Sequence, residues 1–154
     1  MKACVDIGGT KVAVSLAYAA TEGARALPTD ALRHRRVEAT ATTGTPDAVA
    51  LQILRMLGQA CDDAGARLTD IEAVGVSSCG PFVLKAGMIE LAAPNICGGL
   101  AGPARGLPND WTSAALEAHC GRSSPMCGSK TMALPRCRPN AAGVRCRGSI
   151  IAPT

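Results

Sequence analysis

The 154-residue chain has only three aromatic residues, Tyr18, Phe82 and Trp111. A core must therefore be built from Ala, Val, Leu and Ile, and base-stacking platforms for single-stranded nucleic acid are all but excluded. No apolar run approaches the roughly 18 residues of a membrane span. The start, Met1-Lys2-Ala3-Cys4-Val5-Asp6, meets an acid and glycines too soon for a signal peptide, so a cytoplasmic protein without membrane contact is expected. The eight cysteines include no Cys-x-x-Cys pair. Cys120, Cys127, Cys137 and Cys146 are too widely spaced for a structural zinc site, whose ligands come in close pairs. Cys4, Cys61, Cys79 and Cys97 read as reduced thiols, several of them buried.

Acid is also missing from the end of the chain. All 12 Asp and Glu lie within residues 1–118, with 10 of the 16 Lys and Arg; residues 119–154 hold the other six bases and no acid. The overall charge of +4 hides this break. A basic tail can mark a nucleic-acid arm, but such arms come as dense Lys/Arg blocks. Here the bases are scattered among Cys, Pro, Ser and Gly. Hydrophobic content of 47% with 18% charged residues describes a globular chain long enough to bury a core. The expected organisation is a folded unit over 1–118 and an irregular, disordered tail over 119–154. No internal repeat is present.

Along the first part, Ala3–Ile7 and Lys11–Tyr18 flank Gly8-Gly9-Thr10 and predict a β-hairpin. Leu32–Thr42 predicts a third, partly exposed strand. Arg33-His34-Arg35-Arg36 within it suits a solvated face better than a phosphate contact. Thr45-Pro46-Asp47 reads as a helix N-cap, a first-turn proline and a first-turn acid. Val49, Ile53, Leu57 and Cys61 then form one helical stripe that should end near Gly65. Ile71–Ser77 predicts a buried strand and Gly80-Pro81 a turn. Phe82–Leu91 predicts a hairpin around Ala86-Gly87. Ala92–Asp110 is a long Gly/Pro-rich loop, of the kind that carries function. Trp111–Ala118 begins a predicted helix with Asn109-Asp110 as its N-cap. Neither His34 nor His119 has an identifiable catalytic partner.

The sharpest local pattern is Asp6-Ile7-Gly8-Gly9-Thr10-Lys11. Glycines permit positive φ and let backbone N–H groups converge on an anion. Thr10 adds a hydroxyl, Lys11 a positive charge, and Asp6 a carboxylate at a strand end that suits hydrated Mg²⁺. The pattern differs from a P-loop, because no helix begins there. It also fits a plain Gly-Gly hairpin with a surface lysine.

Val5-Asp6-Ile7-Gly8-Gly9-Thr10-Lys11 resembles the first phosphate loop of the ROK family of bacterial sugar kinases and repressors. Val74-Gly75-Val76-Ser77-Ser78-Cys79-Gly80-Pro81 resembles that family's strand ending in a Gly-Pro turn. Gly87-Met88-Ile89 through Ala93-Pro94-Asn95 resembles its segment leading to a sugar-contacting Pro-Asn. The resemblance covers residues 1–118. It implies an α/β fold: the N-terminal lobe of an actin-like (ribonuclease H-like) sugar kinase, a mixed sheet with flanking helices, incomplete in this chain. It implies ATP-dependent phosphorylation of a hexose-type sugar. Asp6, Gly8, Gly9, Thr10 and Lys11 would serve ATP and, through Asp6 indirectly, Mg²⁺; Gly80, Pro81 and Asn95 would serve the sugar. Read without the family, Asn95 is a turn residue after proline. Family members are often homo-oligomeric.

Two departures stand beside these matches. The family's Asn-Asp pair, whose Asp is the general base, follows the next strand; Asn109-Asp110 precedes the predicted helix instead. A second glycine-rich phosphate loop and the family's zinc cluster are also missing. No catalytic residue is therefore assigned, and a truncated, inactive sugar kinase is expected. A shifted reading frame over 119–154 accounts for both the composition break and the missing base. Reading the third base of each codon with the next two forces Leu at His119/Cys120, Val at Met126/Cys127 and Gly at Met132/Ala133. Between them it permits Val-Arg-Val-Glu-Asn-Asp-Gly, a strand followed by Asn-Asp. The rival function is a small basic module that binds nucleic acid through the tail, whose affinity would fall steeply with salt.

Overall fold

The computed structural model describes residues 1–18, 32–78, 80–98, 106–117, 137–140 and 143–146. It is a mixed α/β structure. Strand β1 (Lys2–Ile7) and β2 (Lys11–Ala17) form the predicted hairpin, with Ile7 opposite Val12 at its closed end. Strand β3 (Leu32–Ala39) adds antiparallel to β2, and β4 (Ala73–Ser78) adds parallel to β1 on the other side. The sheet order is therefore β3–β2–β1–β4. A parallel neighbour requires a crossover, and α1 (Ala48–Asp63) supplies it.

Alternation of side chains along the strands decides where the core sits. Ala3, Val5 and Ile7 of β1 and Val12, Val14 and Leu16 of β2 are buried. They cluster with Val49, Ile53, Met56, Leu57 and Cys61 of α1. Each large aliphatic side chain in this layer contributes about 1.5–3 kcal/mol by leaving water. The helix begins after a Pro46-Asp47 turn rather than at Thr45: the carbonyls of Thr45 and Asp47 accept from Ala48 N and Leu51 N at 2.9 and 3.0 Å. It ends as expected near Gly65, where Ala66 N–H reaches the Cys61 carbonyl and Gly65 N–H that of Asp62.

Strand β3 is interrupted by a bulge. Val14 pairs with Arg36 and Leu16 with Arg33, so His34 and Arg35 together face Ser15, and His34 takes φ +50°. Beyond the bulge Arg36 and Glu38 turn toward α1. Arg36 pairs with Asp63 at 2.7 Å, while Arg55 and Gln52 both bond the Glu38 carboxylate. Gln52 also bridges the backbone at Ala39 and Ala41.

A second, three-stranded sheet follows: β5 (Phe82–Lys85), β6 (Met88–Leu91) and β7 (Ala114–Ala115), in that order. Ala86 and Gly87 join β5 to β6 with φ values of +51° and +78°. The predicted helix from Trp111 does not form across 111–116. Trp111 is drawn into the core at 3% exposure, its carbonyl accepts from Gly98 N, and Ala115 N reaches the Pro46 carbonyl. Those tertiary bonds and the β6–β7 pairing take up backbone groups that a helix would have used. The tail falls largely outside the described residues; within it, β8 (Cys137–Asn140) and β9 (Gly143–Cys146) pair antiparallel. Cys79, His119, Cys120 and Cys127 also lie outside them.

Candidate functional site

The three segments that carry the family resemblance meet at one place. Its centre is the stretch Ala92–Gly98, where only Pro94 and Asn95 are exposed. The reason is local: Ile96 and Cys97 are fully buried, and Ala92 and Ala93 nearly so. The Ala93 carbonyl accepts from Ile96 N and Cys97 N, each at 2.9 Å, and from Cys97 Sγ at 3.4 Å. Anchoring both flanks inward leaves Pro94-Asn95 as the outward crest of one tight turn. The Asn95 amide has no intramolecular hydrogen bond among the described residues and is free to meet a ligand.

Gly9 lies directly against this crest. A Cβ at Gly9 would sit 2.6 Å from Asn95 Cβ and 3.3 Å from Asn95 Nδ2. Gly80 lies against its base, where a Cβ would meet Ala93 Cβ at 2.4 Å and Ala93 Cα at 2.6 Å. The expectation that the loop needs glycine for positive φ is corrected here. Neither Gly8 nor Gly9 is among the positive-φ residues. What Gly9 requires is the absence of a side chain, so that two loops can approach. Pro81 continues the packing, its carbonyl accepting from Ala92 N at 2.9 Å.

The hairpin loop is closed by Gly8 N–H donating to the Lys11 carbonyl at 2.9 Å. Thr40, at the end of β3, holds it from the side. Its Oγ1 donates to the Gly8 carbonyl at 2.7 Å and its N–H to the Thr10 carbonyl at 3.2 Å. Thr40 is 7% exposed and has no signature in the local sequence pattern. Thr10 and Lys11 are exposed. Asp6 stands one residue before the end of β1, beside Ala13 and Ser77, and is also exposed. Neither the Asp6 carboxylate nor the Lys11 ammonium has an ion pair or hydrogen bond among the described residues.

Asp6 thus offers an uncommitted carboxylate within two to five residues of the loop's donors, a disposition that fits a hydrated cation beside phosphate. Among the described residues no group of three or more His, Cys, Asp or Glu converges.

Asn109 does not cap a helix, although its Oδ1 still accepts from Trp111 N at 3.1 Å. Its Nδ2 reaches two distant carbonyls, Thr42 at 2.8 Å and Ile96 at 3.0 Å. The Trp111 indole donates to the Gly44 carbonyl at 3.0 Å. Asp110 is exposed. Burial pushes the Cys4 thiol up, and burial followed by the charges of Asp62 and Asp70 does the same to Cys61. Both stay protonated near neutral pH. Arg36 is engaged by Asp63, as a structural strand residue would be. Among the described residues no helix is long and apolar enough to cross a membrane. No protein-family model matches this chain, and no curated protein does.

Proposed function

We propose that residues 1–118 form the N-terminal lobe of a ROK-type sugar kinase with an actin-like fold, able to hold ligands weakly and unable to transfer phosphate as this chain stands. One observation carries the reading: Gly9, Gly80 and Asn95, from three separate stretches of sequence, converge within van der Waals reach on the Ala93–Asn95 turn. The β3–β2–β1–β4 order, with an antiparallel meander and one parallel crossover, supports the same reading.

The residues take complementary roles. The Gly9 and Thr10 backbone N–H groups, the Thr10 hydroxyl and the Lys11 ammonium would face ATP phosphates, with Gly8, its own N–H bonded to the Lys11 carbonyl, holding the loop closed and Asp6 orienting the hydration shell of Mg²⁺. The nucleotide and its metal supply the phosphoryl group and neutralise its charge. Asn95 would hydrogen-bond a sugar hydroxyl beside Gly9, with Gly80 and Pro81 shaping the floor beneath it. A general base is needed to take the hydroxyl proton, and the translated sequence holds none at the family's position.

Half of a two-sided phosphate clamp binds with about half of its contacts. Mg-ATP affinity should therefore be about millimolar, or roughly −4 kcal/mol. The test is an NMR titration of the full chain with Mg-ATP and, separately, with glucose as the probe hexose. Amide shifts at Gly9–Lys11 with nucleotide and at Asn95 with glucose are expected, without sugar-dependent ADP release above background. Absence of both sets of shifts, or robust turnover abolished by Asp6→Ala, would sink this reading.

A further inference from the structure

The Asn109 carboxamide joins three segments that are far apart in sequence. Both of its Nδ2 protons are used, on the carbonyls of Thr42 and Ile96, at 2.8 and 3.0 Å. Ile96 is the residue after Asn95, so this bond grips the turn that presents the Asn95 crest. Thr42 lies two residues beyond Thr40, which grips the Gly8 and Thr10 carbonyls. The path Gly8–Thr40–Thr42–Asn109–Ile96–Asn95 is thus a closed frame, completed by the direct approach of Gly9 to Asn95. Asn109 ties the Asn95 turn itself to the β3–α1 loop through one side chain, while Trp111 makes a second bridge farther along, from Gly98 N to its carbonyl and from its indole to the Gly44 carbonyl.

We infer that Asn109 is a positioning residue that fixes Asn95 against Gly9. A primary amide suits the task, because one nitrogen carries two protons with about 120° between them and can bridge two carbonyls. The Oδ1 bond to Trp111 N holds the amide plane, so the donors are aimed before any ligand arrives. For the ligand, the inference rests on the sugar-binding reading; for the geometry, it stands alone.

Asn109→Asp separates the two functions of the side chain. An aspartate keeps the acceptor for Trp111 N and replaces both donors with an oxygen facing two carbonyls. Labelled full-length protein would be examined for the nuclear Overhauser contact between Gly9 Hα and the Asn95 side chain, with glucose titrated as the probe. In Asn109→Asp this contact should vanish and glucose affinity should fall about tenfold. Trp111→Phe, which removes the indole donor to Gly44 and some buried ring volume but leaves Asn109 and its bonds in place, should keep the contact. If Asn109→Asp does not fold, Asn109→Ser serves: its hydroxyl can still accept from Trp111 N and is too short to span both carbonyls. Persistence of the Gly9–Asn95 contact in a folded Asn109→Asp or Asn109→Ser overturns the inference. Loss of that contact in a protein whose wild type ignores glucose supports the frame while rejecting the sugar reading.

Discussion

Gly80 and Gly75 belong to the same motif but stand in opposite surroundings, which separates packing from backbone entropy. A methyl group at Gly80 would fall 2.4 Å from Ala93 Cβ, and Ala93 cannot retreat, because its carbonyl takes three hydrogen bonds and its neighbour Ala92 is bonded to Pro81. Gly80→Ala should cost about 1–3 kcal/mol, the range for overpacking a fixed site. Among the described residues, a methyl group at Gly75 meets only the Ala3 carbonyl, at 3.9 Å. Gly75→Ala should be neutral or stabilise by up to about 1 kcal/mol, since alanine loses less freedom than glycine on entering a strand. Urea denaturation with unchanged m-values would measure both. Equal effects at the two positions would mean that the close approach to Ala93 does not govern Gly80.

At the scale of elements, α1 meets the sheet through two different seams. Toward β1 and β2 it presents Val49, Ile53 and Leu57; toward β3 it presents Gln52, Arg55 and Asp63. Charges turned inward on an edge strand, together with the bulge at His34, discourage pairing with another chain. The Arg55 guanidinium holds the Glu38 carboxyl below its usual range, and the Arg67 backbone N–H does the same for Asp70. A lowered folded-state value contributes stability above the unfolded value, lost as pH falls through the folded one. Stability should therefore decline from about pH 5 downward through the carboxylate range. Both groups are partly exposed, so the slope should be shallow and flatten in salt. Glu38→Gln should reduce it, and an unchanged pH profile in that variant would count against the seam's electrostatic role. The apolar seam was legible in the sequence because Val49, Ile53, Leu57 and Cys61 repeat every four residues. The polar seam was not, because its partners lie on β3 and no local period marks them. The site divides the same way. Gly8–Lys11, Gly80 and Asn95 stand in readable motifs, whereas Thr40, Asn109 and Trp111 act through bonds across up to 67 residues. The Trp111 segment also misled, since its apolar spacing predicts a helix where long-range bonds impose a strand.

For the molecule as a whole, the two edges of the main sheet are unlike. β3 is bulged and charged, as an edge should be. β4, with Ala73, Val74, Gly75 and Val76, carries no charge, and its far side is unpaired among the described residues. Such a strand has the composition of a sheet interior. On the proposed sugar-kinase reading, the shifted frame would offer β4 a second neighbour, since it permits a Val-Arg-Val-Glu strand that ends in Asn-Asp, where the general base of a ROK-type kinase would stand. An insertion of one nucleotide near codon 118, with the following coding sequence retained, should then pair β4 and supply the base together. Two independent readouts follow: slowed amide exchange at the outward N–H groups of β4, and sugar-dependent ADP release absent from the 154-residue chain. Pairing without turnover would mean that the strand is right and the base assignment wrong. If β4 amides exchange as fast in the repaired chain as in the present one, the frameshift is rejected, and residues 119–154 must be explained as a selected part of the protein, with the basic nucleic-acid module as the reading to test next.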